Sequence, residues 1–134
     1  MPRGKIADTY EDVEMKPTAV LVLSRDENSY VLESVFSIGL APVVRDDMHE
    51  ALDKIRHDRF AMIVVDRNRA DVDVLEFILN VRDIDVELPV VVIGQEGYKA
   101  DTEILKDQPK TFLVEEFDTA DEVARELERV LDTC

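Results

Sequence analysis

Several short apolar runs in this sequence stop abruptly at polar or charged residues. AVLVL (19–23) leads into Ser24, Arg25 and Asp26, and AMIVV (61–65) into Asp66 and Arg67. PVVVI (89–93) is followed by Gly94 and Gln95, and TFLV (111–114) by Glu115 and Glu116. The chemistry these residues offer is that of carboxylates beside guanidiniums. No Ser-His-Asp or Cys-His set suggests a nucleophile with its base. His49 and His57 lie eight residues apart and read as surface side chains. Gly94-Gln95-Glu96-Gly97 lacks the lysine and the glycine spacing of a phosphate cradle. Asp66 alone is compatible with a bland role, closing a loop after its apolar run.

The elements that must position these residues are legible as alternating periods. The apolar runs at 19–23, 61–65, 89–93 and 111–114 are unbroken, as suits parallel strands covered on both faces. Pro42-Val43-Val44 makes a further short strand. Between them, Val31, Leu32, Val35, Phe36 and Ile38 recur at roughly helical spacing, with Gly39 as the stop. Met48, Ala51, Leu52 and Ile55 predict a helix over about 47–57. Val74, Leu75, Ile78, Leu79 and Arg82 mark a third. The stretch 98–108 predicts a short or irregular fourth, and Ala120 to Leu131 a final helix capped by Asp118 or Thr119. Five strand–helix repeats give an α/β fold, an open five-stranded parallel sheet with helices on both faces. In such a sheet, sites gather beyond the carboxyl ends of the strands, where the polar residues above fall.

Composition narrows the function. Hydrophobic residues make up 46% of the 134, so a packed core is within reach despite a formal charge of −15. With 31 Asp and Glu against 16 Lys and Arg, the chain is a poor partner for nucleic acid or anionic membranes. Cys134, the one cysteine, leaves no intrachain disulfide. Residues 1–17 are polar and read as a flexible arm ahead of a domain over 18–134. They lack the apolar stretch of a signal peptide, which implies a cytoplasmic address.

From residue 18 to 131 the order, spacing and length resemble the receiver domain of bacterial response regulators, a flavodoxin-like fold. VLVLSRDEN resembles the first strand and its acidic turn, and MIVVDRN the strand that ends in the phospho-accepting aspartate. LPVVVIG resembles the fourth strand, and FLVEEF the segment that usually ends in Lys-Pro-Phe. The resemblance places Asp66 at the acceptor position. Ser24 and Arg25 then stand where an acidic pair normally helps hold Mg²⁺, with Asp26 following. Asn68 falls where a backbone carbonyl meets the metal, and Gly94 replaces the hydroxyl residue that contacts the phosphoryl group. Glu115 replaces the lysine and Glu116 the proline, while Phe117 keeps the aromatic.

These departures change the local charge. The family's four positions total −2, whereas Ser24, Arg25, Asp66 and Glu115 total −1, and Arg67 brings the sum to zero. Mg²⁺ favours carboxylate oxygens, which a guanidinium both displaces and repels. The resemblance therefore implies an atypical, stand-alone receiver that acts through protein–protein contacts without Mg²⁺-dependent phosphorylation, and not an enzyme. Arg25 is expected to pair with Asp66, Glu115 or both. Expected partners are a histidine kinase, a receiver-regulated enzyme, another receiver or a second copy through the 98–131 face. The alternative in the family is a slow phospho-acceptor, with Asp26, Asp66 and Asn68 as weak metal candidates and Mg²⁺ as its cofactor. The rival outside it is a small flavodoxin-like ligand-binding domain or enzyme, against which stands the lack of a Gly-rich first turn after Leu23.

Overall fold

In the computed structural model the described residues are 16–26, 30–94, 99–114 and 119–133. All but the last two residues of the arm, and both Glu115 and Glu116, lie outside them. The elements run β1 (Ala19–Leu23), α1 (Tyr30–Ser37), β2 (Ala41–Arg45), α2 (Met48–His57) and β3 (Met62–Asp66). A 3₁₀ turn (Arg67–Arg69), α3 (Val74–Ile84), β4 (Val90–Ile93), α4 (Lys99–Lys106), β5 (Thr111–Val114) and α5 (Ala120–Thr133) follow. The five strands form one parallel sheet in the order β2-β1-β3-β4-β5. Among the described residues, no helix is long and apolar enough to cross a membrane.

Alternate side chains of each strand enter opposite cores, so the central strands are buried at every position but Ala19, which is partly buried. Val20, Val22, Met62, Val64, Val91 and Ile93 pack with Val31 and Val35 of α1 and Val123, Leu127 and Val130 of α5. Leu21, Leu23, Ile63, Val65, Val90 and Val92 pack on the other face with residues of α2 and α3, Phe77 among them, and with Leu105 of α4. All five residues of β3 are buried, which explains the unbroken apolar run of its first four before Asp66. The edge strand β2 is only half-buried and tolerates Pro42, since an edge strand does not use every N–H.

Local signals set the element ends. Gly39 takes φ +84 and donates to Phe36 O at 3.0 Å, while Leu40 N reaches Val35 O, closing α1. Asp47 Oδ1 caps α2 by accepting from His49 N and Glu50 N. At the far end of α2, the hydrogen bond and charge of Lys54 hold the Asp58 carboxyl below its ordinary range. Thr119 caps α5, its hydroxyl accepting from Glu122 N and donating to the Glu122 carboxylate.

One polar side chain sits inside the frame. Arg82 of α3 is buried, and its Nη1 donates to Asp85 O at 3.1 Å and Leu88 O at 2.7 Å. Its Nη2 donates to Lys110 O at 3.0 Å and Thr111 Oγ1 at 3.1 Å. Lys110, held at φ 54, also accepts Val90 N at 2.9 Å. A helix residue thus ties together the entrances of β4 and β5.

Candidate functional site

The carboxyl ends of β1 and β3 lie side by side, because these strands are direct neighbours. Ser24 and Asp66 follow or end buried runs and are themselves 1% and 0% exposed. Ser24 Oγ donates to Asp66 Oδ2 at 3.3 Å and accepts Asp26 N at 3.1 Å. The turn at 67–69 folds back over the strand end, since side chains three residues apart stack in a 3₁₀ turn. That brings Arg69 Nη1 to 3.1 Å from Asp66 Oδ1. The same guanidinium lies 3.7 Å from Asp26 Oδ2 through Nε, and 5.5 Å from the centre of the Tyr30 ring. Asp66 is therefore held at both carboxylate oxygens, one by a hydroxyl and one by a cation.

The structure corrects the expected role of Arg25. Its side chain is 61% exposed and its Nη1 lies 4.0 Å from Asp71 Oδ2, so Asp66 takes its cation from Arg69 instead. The cause is local. Ser24 points inward to Asp66, whereas Arg25, at a bend just beyond β1, carries its side chain outward. The Arg25 amide fixes this by donating to Arg69 O at 2.7 Å. Arg25 then lines an open groove with Ser24, Val44, Arg45, Asp46 and Glu50. The other expected partner, Glu115, is outside the described residues, as is Glu116.

Gly94 has a geometric reason. Its φ is +133, and a Cβ there would lie 3.0 Å from Arg67 Cβ and 3.3 Å from the Asn68 side chain. Asn68 and Arg67 fill the space in which a strand-four side chain would stand. Gly94→Ser is thus expected to destabilise the protein by about 2 kcal/mol, through backbone strain and crowding. A urea titration checks this, and a neutral result would mean that the 67–69 turn yields freely.

Among the described residues, no three His, Cys, Asp or Glu side chains converge as a metal cage. Asp26, Asp66 and Asn68, the candidate ligands, do lie around the same turn, but the two carboxylates face a guanidinium. His49 and His57 are exposed on α2, with His57 Nδ1 close to Asp53 O at 2.8 Å. Sequence reasoning missed Arg69. The available signal was its spacing, a basic residue three positions after Asp66 in a stretch without helical or strand period.

No protein-family model and no curated protein matches the sequence. Solved structures do. A CheY-like response regulator receiver domain protein from Methanospirillum hungatei superposes with a TM-score of 0.69 at 14% identity, over 88% of this chain and 96% of that one. The receiver domain of a sensor histidine kinase from Pseudomonas aeruginosa, which has a magnesium ion coordinated in its active-site cleft, gives 0.68 at 19%, over 87% and 99%. The chemotaxis response regulator CheY4 of Vibrio cholerae gives 0.70 at 22%, over 86% and 99%. With its strand order and its helices on both faces, the chain has the flavodoxin-like fold of receiver domains.

Proposed function

We propose that this chain is an atypical receiver module of two-component-type signalling, working by protein–protein contact and without Mg²⁺-dependent phosphorylation. One observation carries the reading. The carboxylate at the acceptor position, Asp66, is fully buried and engaged by Ser24 and Arg69. Mg²⁺, as bound by the Pseudomonas domain, does not fit these residues. It needs several oxygen ligands in strict geometry, whereas Ser24 and Arg25 replace carboxylates and Arg69 already brings a positive charge to Asp26 and Asp66, one that repels the ion. A phosphoryl group also develops charge that metal and lysine normally neutralise. Gly94 offers no hydroxyl to such a group.

The partners that suit this reading are a histidine kinase, a receiver-regulated enzyme, another receiver or a second copy through the 98–131 face, in a bacterial cytoplasm. The module is not an enzyme in this reading. The test is intact-mass spectrometry after incubation with acetyl phosphate and Mg²⁺, beside an Asp66→Ala control. The expected result is no phosphoryl-sized gain in either protein. A gain in the unaltered chain that the control lacks would replace this reading with that of a slow phospho-acceptor using Asp66, with Asp26 and Asn68 as helpers.

A further inference from the structure

We propose that Arg69 is a resident cation, its guanidinium filling the place between Asp26 and Asp66 that would otherwise attract a divalent ion. This deepens the reading of a metal-independent module and rests on it. Two carboxylates from different strand ends approach one guanidinium, Asp66 Oδ1 at 3.1 Å and Asp26 Oδ2 at 3.7 Å. Left alone, two such groups repel each other and form an attractive place for a cation. The guanidinium is suited to stand there because its donors point in several directions from one rigid plane. Its Nη1 serves the end of β3 and its Nε the turn after β1, while its face lies over Tyr30 at the start of α1.

Its attachment distinguishes it from an ion in solution. Arg69 sits three residues from Asp66 in the 3₁₀ turn, and its carbonyl accepts the Arg25 amide at 2.7 Å. The backbone of the turn and its side chain thus grip the β1 loop together. The local concentration of such a tethered cation exceeds that of a free ion, so the site stays in one charge state whatever the surrounding metal level. A receiver with a removable ion has two states, while one with a tethered ion has a single state in which its contact surfaces are already set.

The test compares the full-length chain with Arg69→Ala and with Asp66→Asn/Arg69→Ala, titrating Mn²⁺ by calorimetry and electron paramagnetic resonance. Arg69→Ala is expected to bind Mn²⁺ roughly tenfold more tightly than the unaltered chain, with a matching rise in melting temperature. The double variant, with one carboxylate fewer, is expected to lose that gain. Equal binding by all three proteins would overturn the resident cation yet leave the metal-independent reading standing. Tight Mn²⁺ binding by the unaltered chain, together with a phosphoryl gain in the mass assay, would overturn both. Should Arg69→Ala be unfolded without metal, its folding on addition of Mn²⁺ supports the proposal. Failure to fold at any Mn²⁺ level, while the double variant folds, overturns it.

Discussion

Arg69→Ala is expected to lower the stability of the fold by about 3 kcal/mol, although its side chain lies at the rim of the site. The loss comes from what is left behind. Asp66 is completely buried at the end of the central strand β3, and Arg69 is the cation that reaches it among the described residues. Removing one partner of a buried pair leaves the other charge less well compensated in a poorly solvating place, which costs more than the pair itself contributes. Asp66→Asn should therefore cost only about 1 kcal/mol, since Arg69 is partly solvated and keeps Asp26. Asp66→Asn/Arg69→Ala should lose only about 2 kcal/mol in total, short of the additive sum by a coupling of about 2 kcal/mol. Urea titrations followed by far-ultraviolet circular dichroism measure all four corners. Strict additivity would mean that the two side chains do not act as a pair in solution.

An effect of similar size, about 3 kcal/mol, is expected for Arg82→Ala at the opposite end of the sheet. Arg82 donates to the carbonyls of Asp85, Leu88 and Lys110 and to the Thr111 hydroxyl. Burial pushes its pKa below the ordinary arginine value, while Asp85 and Glu87 push it back up. It nevertheless stays charged at neutral pH. Arg82→Lys should recover little, because a single ammonium cannot serve both the α3 end and the β5 entrance. Arg82→Met keeps the apolar stem and should separate packing from hydrogen bonding. Amide exchange at Val90, which donates to Lys110 O, should accelerate in every variant. If Arg82→Ala cost less than about 1 kcal/mol, water would have to replace the guanidinium at all four acceptors.

The strands were legible because burial on both faces leaves an unambiguous mark. β1, β3 and β4 are continuous apolar runs, and each begins or ends within one residue of its apolar stretch. Gly39 was legible as a stop because a left-handed residue after a helix favours glycine. The weakest expectation, the helix near 98–108, is the regular helix α4 over Lys99–Lys106. Its buried side chains include Leu105 and Thr102, and the polar Thr102 weakens the apolar period. The charges after the strands were harder to assign. Arg25 and Arg69 have the same formal charge, and only the inward turn of Ser24 and the back-fold at 67–69 decide which one meets Asp66. Arg82 showed the opposite difficulty. Its position on the apolar period of α3 was visible, while the carbonyls it serves came from distant segments.

Pro42 carries a consequence for how copies of this chain can meet. Ala41 N points toward β1, where it donates to Thr18 O, so the next residue along the strand faces the outer edge. Pro42 thus removes a donor from the side of β2 that a foreign strand would use, and of the outward positions in this five-residue strand Val44 is the other. Sheet extension along that border, the common route to fibrils and runaway polymers, is blunted by a single ring. Of the sheet's two edges, β2 and β5, the β2 border is therefore the poorer template for an added strand.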